Sequence, residues 1–97
     1  MEAGKIILDL IGENNLVSFA ARDIRYGRTD RKTHYGYLEF VSSNQPKFTQ
    51  EIVIQIQWTK DEDCFVLITD PISKKKLVVR EGIECENLVD TLYEILG

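Results

Sequence analysis

The chain has 97 residues, carries 12 Lys and Arg against 16 Asp and Glu for a net charge of −4, and is 43% hydrophobic. That length suits one domain and not two, and the composition is too apolar for disorder throughout. Two cysteines are too few for a disulfide scaffold, and net acidity argues against a generic nucleic-acid binder, whose domains usually run basic.

The opening Met-Glu-Ala-Gly lacks a basic segment, and Ile6-Ile7-Leu8 stops at Asp9. A secretory signal needs about 7–15 apolar residues there. No apolar run approaches the roughly 18 residues that cross a bilayer. The expectation is a cytoplasmic protein with no membrane partner, in which Cys64 and Cys85 are reduced thiols. Repeats, low-complexity stretches and Pro/Gly-rich linkers are absent, so residues 1–97 read as a single small domain.

Residues 3–14 have helical spacing, with Ile6, Ile7, Leu10 and Ile11 on one face and Asn14-Asn15 as the terminator. From Leu16 the period changes to two: Val17, Phe19 and Ala21 alternate with polar or small residues. Ile24 and Tyr26 then fall on the opposite parity, so the strand either bulges near Ala21–Asp23 or ends there. Tyr35–Ser42 is a second strand with Leu38 and Phe40 facing in, and His34 lies in the loop before it. Asn44–Lys47 is a turn around Pro46.

Thr49–Thr59 is the clearest strand. Ile52, Ile54, Ile56 and Trp58 line its dry face, and Glu51, Val53, Gln55 and Gln57 its wet one. The wet side has two readings, a flat binding surface or a merely solvated face. Cys64–Thr69 is apolar on both parities and reads as a central strand covered on both faces. A fifth strand spans Lys75–Arg80 and ends at Gly82, and residues 84–96 form a second helix with a stripe of Cys85, Leu88, Leu92 and Ile95. The order α-β-β-β-β-β-α with short turns predicts an α+β fold built on an antiparallel meander of about five strands. Both helices need a sheet face, which favours a two-layer sandwich with the helices on one side; a curled half-barrel is the alternative.

The catalytic inventory is thin. His34 is the one histidine and has no evident nucleophile beside it in sequence. Cys64 and Cys85 are expected on core-facing positions, where thiols act as small hydrophobes. Their spacing fits no compact zinc pattern, and neither phosphate-cradling glycine motif is present. Asp61-Glu62-Asp63 lacks the alternating spacing of a calcium loop and reads as a solvated turn.

Charge is unevenly distributed. Residues 22–37 hold five cations and two carboxylates, a local +3, with three of the four tyrosines. Arg25, Tyr26, Arg28, Arg31, Lys32, Tyr35 and Tyr37 are the candidate partner-binding residues. Arg offers a planar fork for carboxylate or phosphate, and Tyr and Arg are enriched at protein interfaces as well as on nucleic-acid surfaces. A soluble hairpin loop is the plainer reading. Lys74, Lys75 and Lys76 with Arg80 form a second basic patch of +4 over residues 74–80, or simply protect an edge strand from pairing. The remaining residues sum to −11.

The functional expectation is a small non-enzymatic intracellular interaction protein: an inhibitor, adaptor or immunity-type partner of a larger macromolecule. It needs no cofactor and no metal. The alternative is a nucleic-acid-binding module using residues 22–37 and Lys74–Lys76 on phosphates. Oligomeric state stays open between monomer and homodimer, since a meander has two edges.

Overall fold

The structure, a computed structural model, describes residues 3–28, 34–43 and 45–97, with the side chains of His34 and Tyr35 outside the described set. Helix α1 spans Ala3–Ile11 and buries Ala3, Ile7 and Ile11, an i, i+4, i+8 stripe. The dry stripe is narrower than the sequence suggests, because Leu10 is 40% exposed. Gly12 breaks the helix at φ +83, a conformation that glycine adopts without a side-chain clash.

The chain then forms a second helix, α2 (Glu13–Ser18), rather than the expected strand. The buried pair explains why. Leu16 and Phe19 are three residues apart and both buried, whereas Val17 is 73% exposed. Helical spacing of the core residues outweighs the alternation of Val17, Phe19 and Ala21. Ala20 turns the chain at φ +53, and strand β1 (Arg22–Gly27) follows. The parity slip is a bulge: Asp23 has φ +53, and the pairing register shifts between Arg22 and Arg25.

Strand β2 is His34–Ser42, so His34 belongs to a strand and not to a loop. Strands β3 (Ile52–Thr59) and β4 (Asp63–Thr69) follow. Strand β5 (Lys76–Glu84) runs through Gly82 instead of ending there. Gly82, at φ +65, bends the strand. A 3-10 turn at Cys85–Asn87 leads into helix α3 (Leu88–Leu96).

The sheet is antiparallel in the order β1-β2-β3-β4-β5, so each strand pairs with its sequence neighbour. β1 and β5 are the two edges, so the sheet does not close on itself, and the helices form a second layer against it.

One core lies between the sheet and the helices. Ile7, Ile11, Leu88, Leu92 and Leu96 meet Leu38, Phe40, Ile52, Ile54, Ile56, Val66 and Ile68 in it. Fully burying one such aliphatic side chain contributes about 1.5–3 kcal/mol. The helices therefore all cover one face. Strand β4 is not covered on both faces as its sequence suggests; its burial alternates, with Phe65, Leu67 and Thr69 only half-buried on the other side.

The junction after α2 is held by polar contacts. The buried Ser42 hydroxyl and the Gln45 amide both donate to the Phe19 carbonyl. Tyr93 of α3 stacks at a tilt on Phe19, with ring centres 4.7 Å apart, and its hydroxyl donates to Asn15 Oδ1 at 2.8 Å. No helix of the described residues is long and apolar enough to cross a membrane.

Candidate functional site

Alternate residues of each strand point away from the helices, and the register joins them into rows. One row is Arg22–Val41–Val53–Thr69–Lys76, and the next is Arg25–Glu39–Gln55–Leu67–Val79. A third is Gly27–Tyr37–Gln57–Phe65. Together they make a helix-free face with aromatic and aliphatic side chains from four strands.

Gln57 is only 7% exposed although it lies on the face turned away from the helices. Tyr37 and Phe65 are its neighbours in the row, with the Tyr37 ring lying the other way, over Gly27 of β1. The wet face read on β3 is thus wet only in part. Gln57 Nε2 donates to Gln55 Oε1 at 2.6 Å, and Gln55 Nε2 makes a long contact to Glu39 Oε1 at 3.4 Å. Gln57 Oε1 is buried with no hydrogen-bond partner among the described residues. Leaving a buried acceptor unpaired costs about 1–3 kcal/mol. At the margin, Arg22 pairs with Glu51.

The described residues of the Arg- and Tyr-rich segment do not form one patch. Arg25 and Tyr37 lie on the helix-free face, opposite Glu39 and Gly27. Tyr26 pairs with Leu38 and so faces the helices, where its Cβ lies against Gly4 of α1. Tyr26 remains 48% exposed. Arg28 is exposed just beyond β1. Arg31 and Lys32 lie outside the described residues, and Tyr35 has its backbone in β2 but its side chain outside them.

The two basic segments sit far apart. Arg28 lies at the end of the sheet where β1 stops and β4 begins. Lys74, Lys75 and Lys76 are exposed at the opposite end, beside the β5 edge. A nucleic-acid surface that joins both segments would have to cross the whole sheet from the β1 edge, where Arg22 shares a row with Lys76, to the β5 edge. The Arg28 end also carries the acidic turn: Asp61, Glu62 and Asp63 line a shallow cleft with Glu84, Cys85 and Glu86. That end is positive at the β1–β2 corner and negative at the β4–β5 corner.

Cys85 packs against the core as its spacing suggests, but it precedes α3 and does not belong to it. It begins the 3-10 turn, is half-buried, and lies beside Cys64. Among the described residues no three His, Cys, Asp or Glu are grouped to hold a metal ion.

Sequence reasoning missed Phe65, Leu67 and Val79 as surface residues of one face. The strand of Phe65 and Leu67 reads as covered on both faces and that of Val79 as an edge, and only the cross-strand register aligns them with Gln55 and Gln57. No protein-family model, no curated protein and no solved structure matches this chain.

Proposed function

We propose that the protein is a non-enzymatic binding partner of another protein, an inhibitor, adaptor or immunity-type domain of the cytoplasm, and that its partner seats on the helix-free face. The observation supporting this reading is the make-up of that face. Tyr37, Val41, Val53, Phe65, Leu67 and Val79 surround a short polar ladder that ends in the orphaned Gln57 acceptor. A sheet face turned only to water alternates to polar side chains. A contiguous apolar patch with an aromatic component is instead the chemistry of a protein interface.

The face also specifies what would fit. Its centre takes an apolar surface bearing one hydrogen-bond donor for Gln57. Its β1 margin, with Arg25 and exposed Arg28, takes carboxylates. The partner is therefore a protein surface with an apolar centre and an acidic border. Segregated charge at that border speeds and orients association and is screened by salt.

The test begins with a partner captured from nuclease-treated lysate and then purified. Leu67→Arg and Tyr37→Ala should each weaken its binding at least tenfold, while Val17→Arg on the far side leaves it unchanged. Circular dichroism checks that each variant is folded. Equal binding by folded Leu67→Arg and wild type overturns the assignment of the face. Capture that disappears with nuclease treatment overturns the protein-partner reading.

A further inference from the structure

Cys64 and Cys85 are 21 residues apart in the chain, yet their sulfurs are 3.7 Å apart. Both are free thiols. Cys64 is fully buried at the start of β4, where it pairs with Ile83. Gly82 bends β5 just before that point, and two residues after Ile83 the 3-10 turn delivers Cys85. Cys85 Sγ also contacts the Glu62 carbonyl at 3.4 Å. It lines the open cleft with Asp61, Glu62, Asp63, Glu84 and Glu86. One sulfur therefore meets solvent, and the other sits behind it.

We propose that Cys64 and Cys85 are a reversible thiol–disulfide pair, in which Cys85 reacts with a small neutral peroxide and Cys64 then displaces the product to close the disulfide. A disulfide needs sulfurs about 2.05 Å apart. The approach required is under 2 Å, and Cys85 stands on a short turn beside a glycine bend that can supply it.

The chemistry balances without a cofactor. The Cys85 thiolate attacks one oxygen of hydrogen peroxide; an S–O bond forms, the O–O bond breaks, and the departing hydroxide takes a proton to become water. Cys85 is then a sulfenic acid. Cys64 sulfur attacks Cys85 sulfur; an S–S bond forms, the S–O bond breaks, and the leaving hydroxide takes the Cys64 proton. Two thiols lose two electrons and two protons, and one peroxide becomes two waters.

The surroundings select both the order and the oxidant. Burial first, and Cys85 second, push the Cys64 thiol up to about 12, so Cys64 is a poor first nucleophile. It becomes effective once held against an electrophilic sulfur. The carboxylates around the cleft repel anionic disulfides such as oxidised glutathione, whereas hydrogen peroxide carries no charge.

The test uses the full reduced chain at neutral pH. After hydrogen peroxide the intact mass should fall by two hydrogens, titratable thiols should drop from two to none, and a non-reducing digest should contain a Cys64–Cys85 linked peptide. Dithiothreitol should restore both thiols. In Cys64→Ser, dimedone should trap a sulfenic acid on Cys85; in Cys85→Ser, Cys64 should stay unmodified at the same dose. Wild-type protein that keeps both thiols, gains oxygen instead of losing hydrogen, or links only between molecules overturns the pair. Dimedone on Cys64 in Cys85→Ser overturns the order. The digest on wild type decides the pairing even if a variant fails to fold.

Discussion

Gly4 of α1 and Tyr26 of β1 approach so closely that no side chain fits between them. A Cβ added to Gly4 would press into the Tyr26 Cβ and fall 2.5 Å from the Tyr37 carbonyl oxygen. Glycine is thus the residue that lets the helix lie directly on the first hairpin. Gly4→Ala should destabilise by about 1–3 kcal/mol through overpacking, despite the better helix propensity of alanine. A lower urea midpoint at unchanged slope checks this.

Ser42→Ala removes one of two donors to the Phe19 carbonyl, and Gln45 keeps the other. The acceptor is not orphaned, so the cost should stay near 1 kcal/mol. Combining Ser42→Ala with Gln45→Ala strips both donors and should cost more than the sum of the single changes. Thermal unfolding of the three variants measures the difference.

Gln57→Leu should raise stability while weakening the partner. The change loses one hydrogen bond to Gln55 but also removes the buried acceptor that has no partner among the described residues. Replacing such a group with an apolar one of similar size is nearly neutral or stabilising. A polar group kept at a cost in stability is the pattern of a binding surface. Chemical denaturation and binding, measured on the same variant, should move in opposite directions.

Asp70 sets the acid limit of the β4–β5 turn. The Ile72 N–H donates to its carboxylate at 2.8 Å, with Ser73 and Gln50 assisting, and this holds the group below its ordinary 3.8. A lowered folded pKa gives stabilisation that is complete above the unfolded value and lost as pH falls through the folded one. NMR titration of the Asp70 carboxyl should therefore show a midpoint below 3.8. Asp70→Asn should abolish the pH dependence of Ile72 amide exchange over that acid range.

Oxidation of the thiol pair should stabilise the fold. Closing a loop of about 20 residues restricts the unfolded chain by roughly 3 kcal/mol in the entropic treatment. For a domain of this size each kcal/mol moves the melting midpoint by about 4–8 °C. The oxidised protein should melt higher than the reduced, and dithiothreitol should abolish the gap. Cys85→Ser should show no response to peroxide in the same assay.

Much of the sheet is legible from alternation alone. Leu38 and Phe40 in β2, and Ile52, Ile54 and Ile56 in β3, all face the core as their spacing demands. Helix α2 is not legible, because six residues give too few turns to outweigh a chance alternation. The two faces of β4 are equally apolar in sequence, so periodicity cannot say that helices cover only one. Tyr26 and Tyr37 look like one cluster on paper, yet the pairing of Tyr26 with Leu38 and of Gly27 with Tyr37 sends them to opposite faces. The nearness of Cys64 and Cys85 depends on the β4–β5 register and the bend at Gly82. Composition and spacing contain none of that information.

Neighbour-only strand pairing has a kinetic consequence. Every sheet contact joins segments adjacent in the chain, and local contacts lower the entropy of loop closure before the barrier. Successive hairpins can zip without waiting for distant segments. The most distant contact in sequence is that of α3 with the first helices, sealed where Tyr93 reaches back across 78 residues to Asn15. Until that latch closes, the second layer over the sheet lacks α3. Folding should accordingly finish with helix docking, and variants at Tyr93 should accelerate unfolding more than they slow refolding.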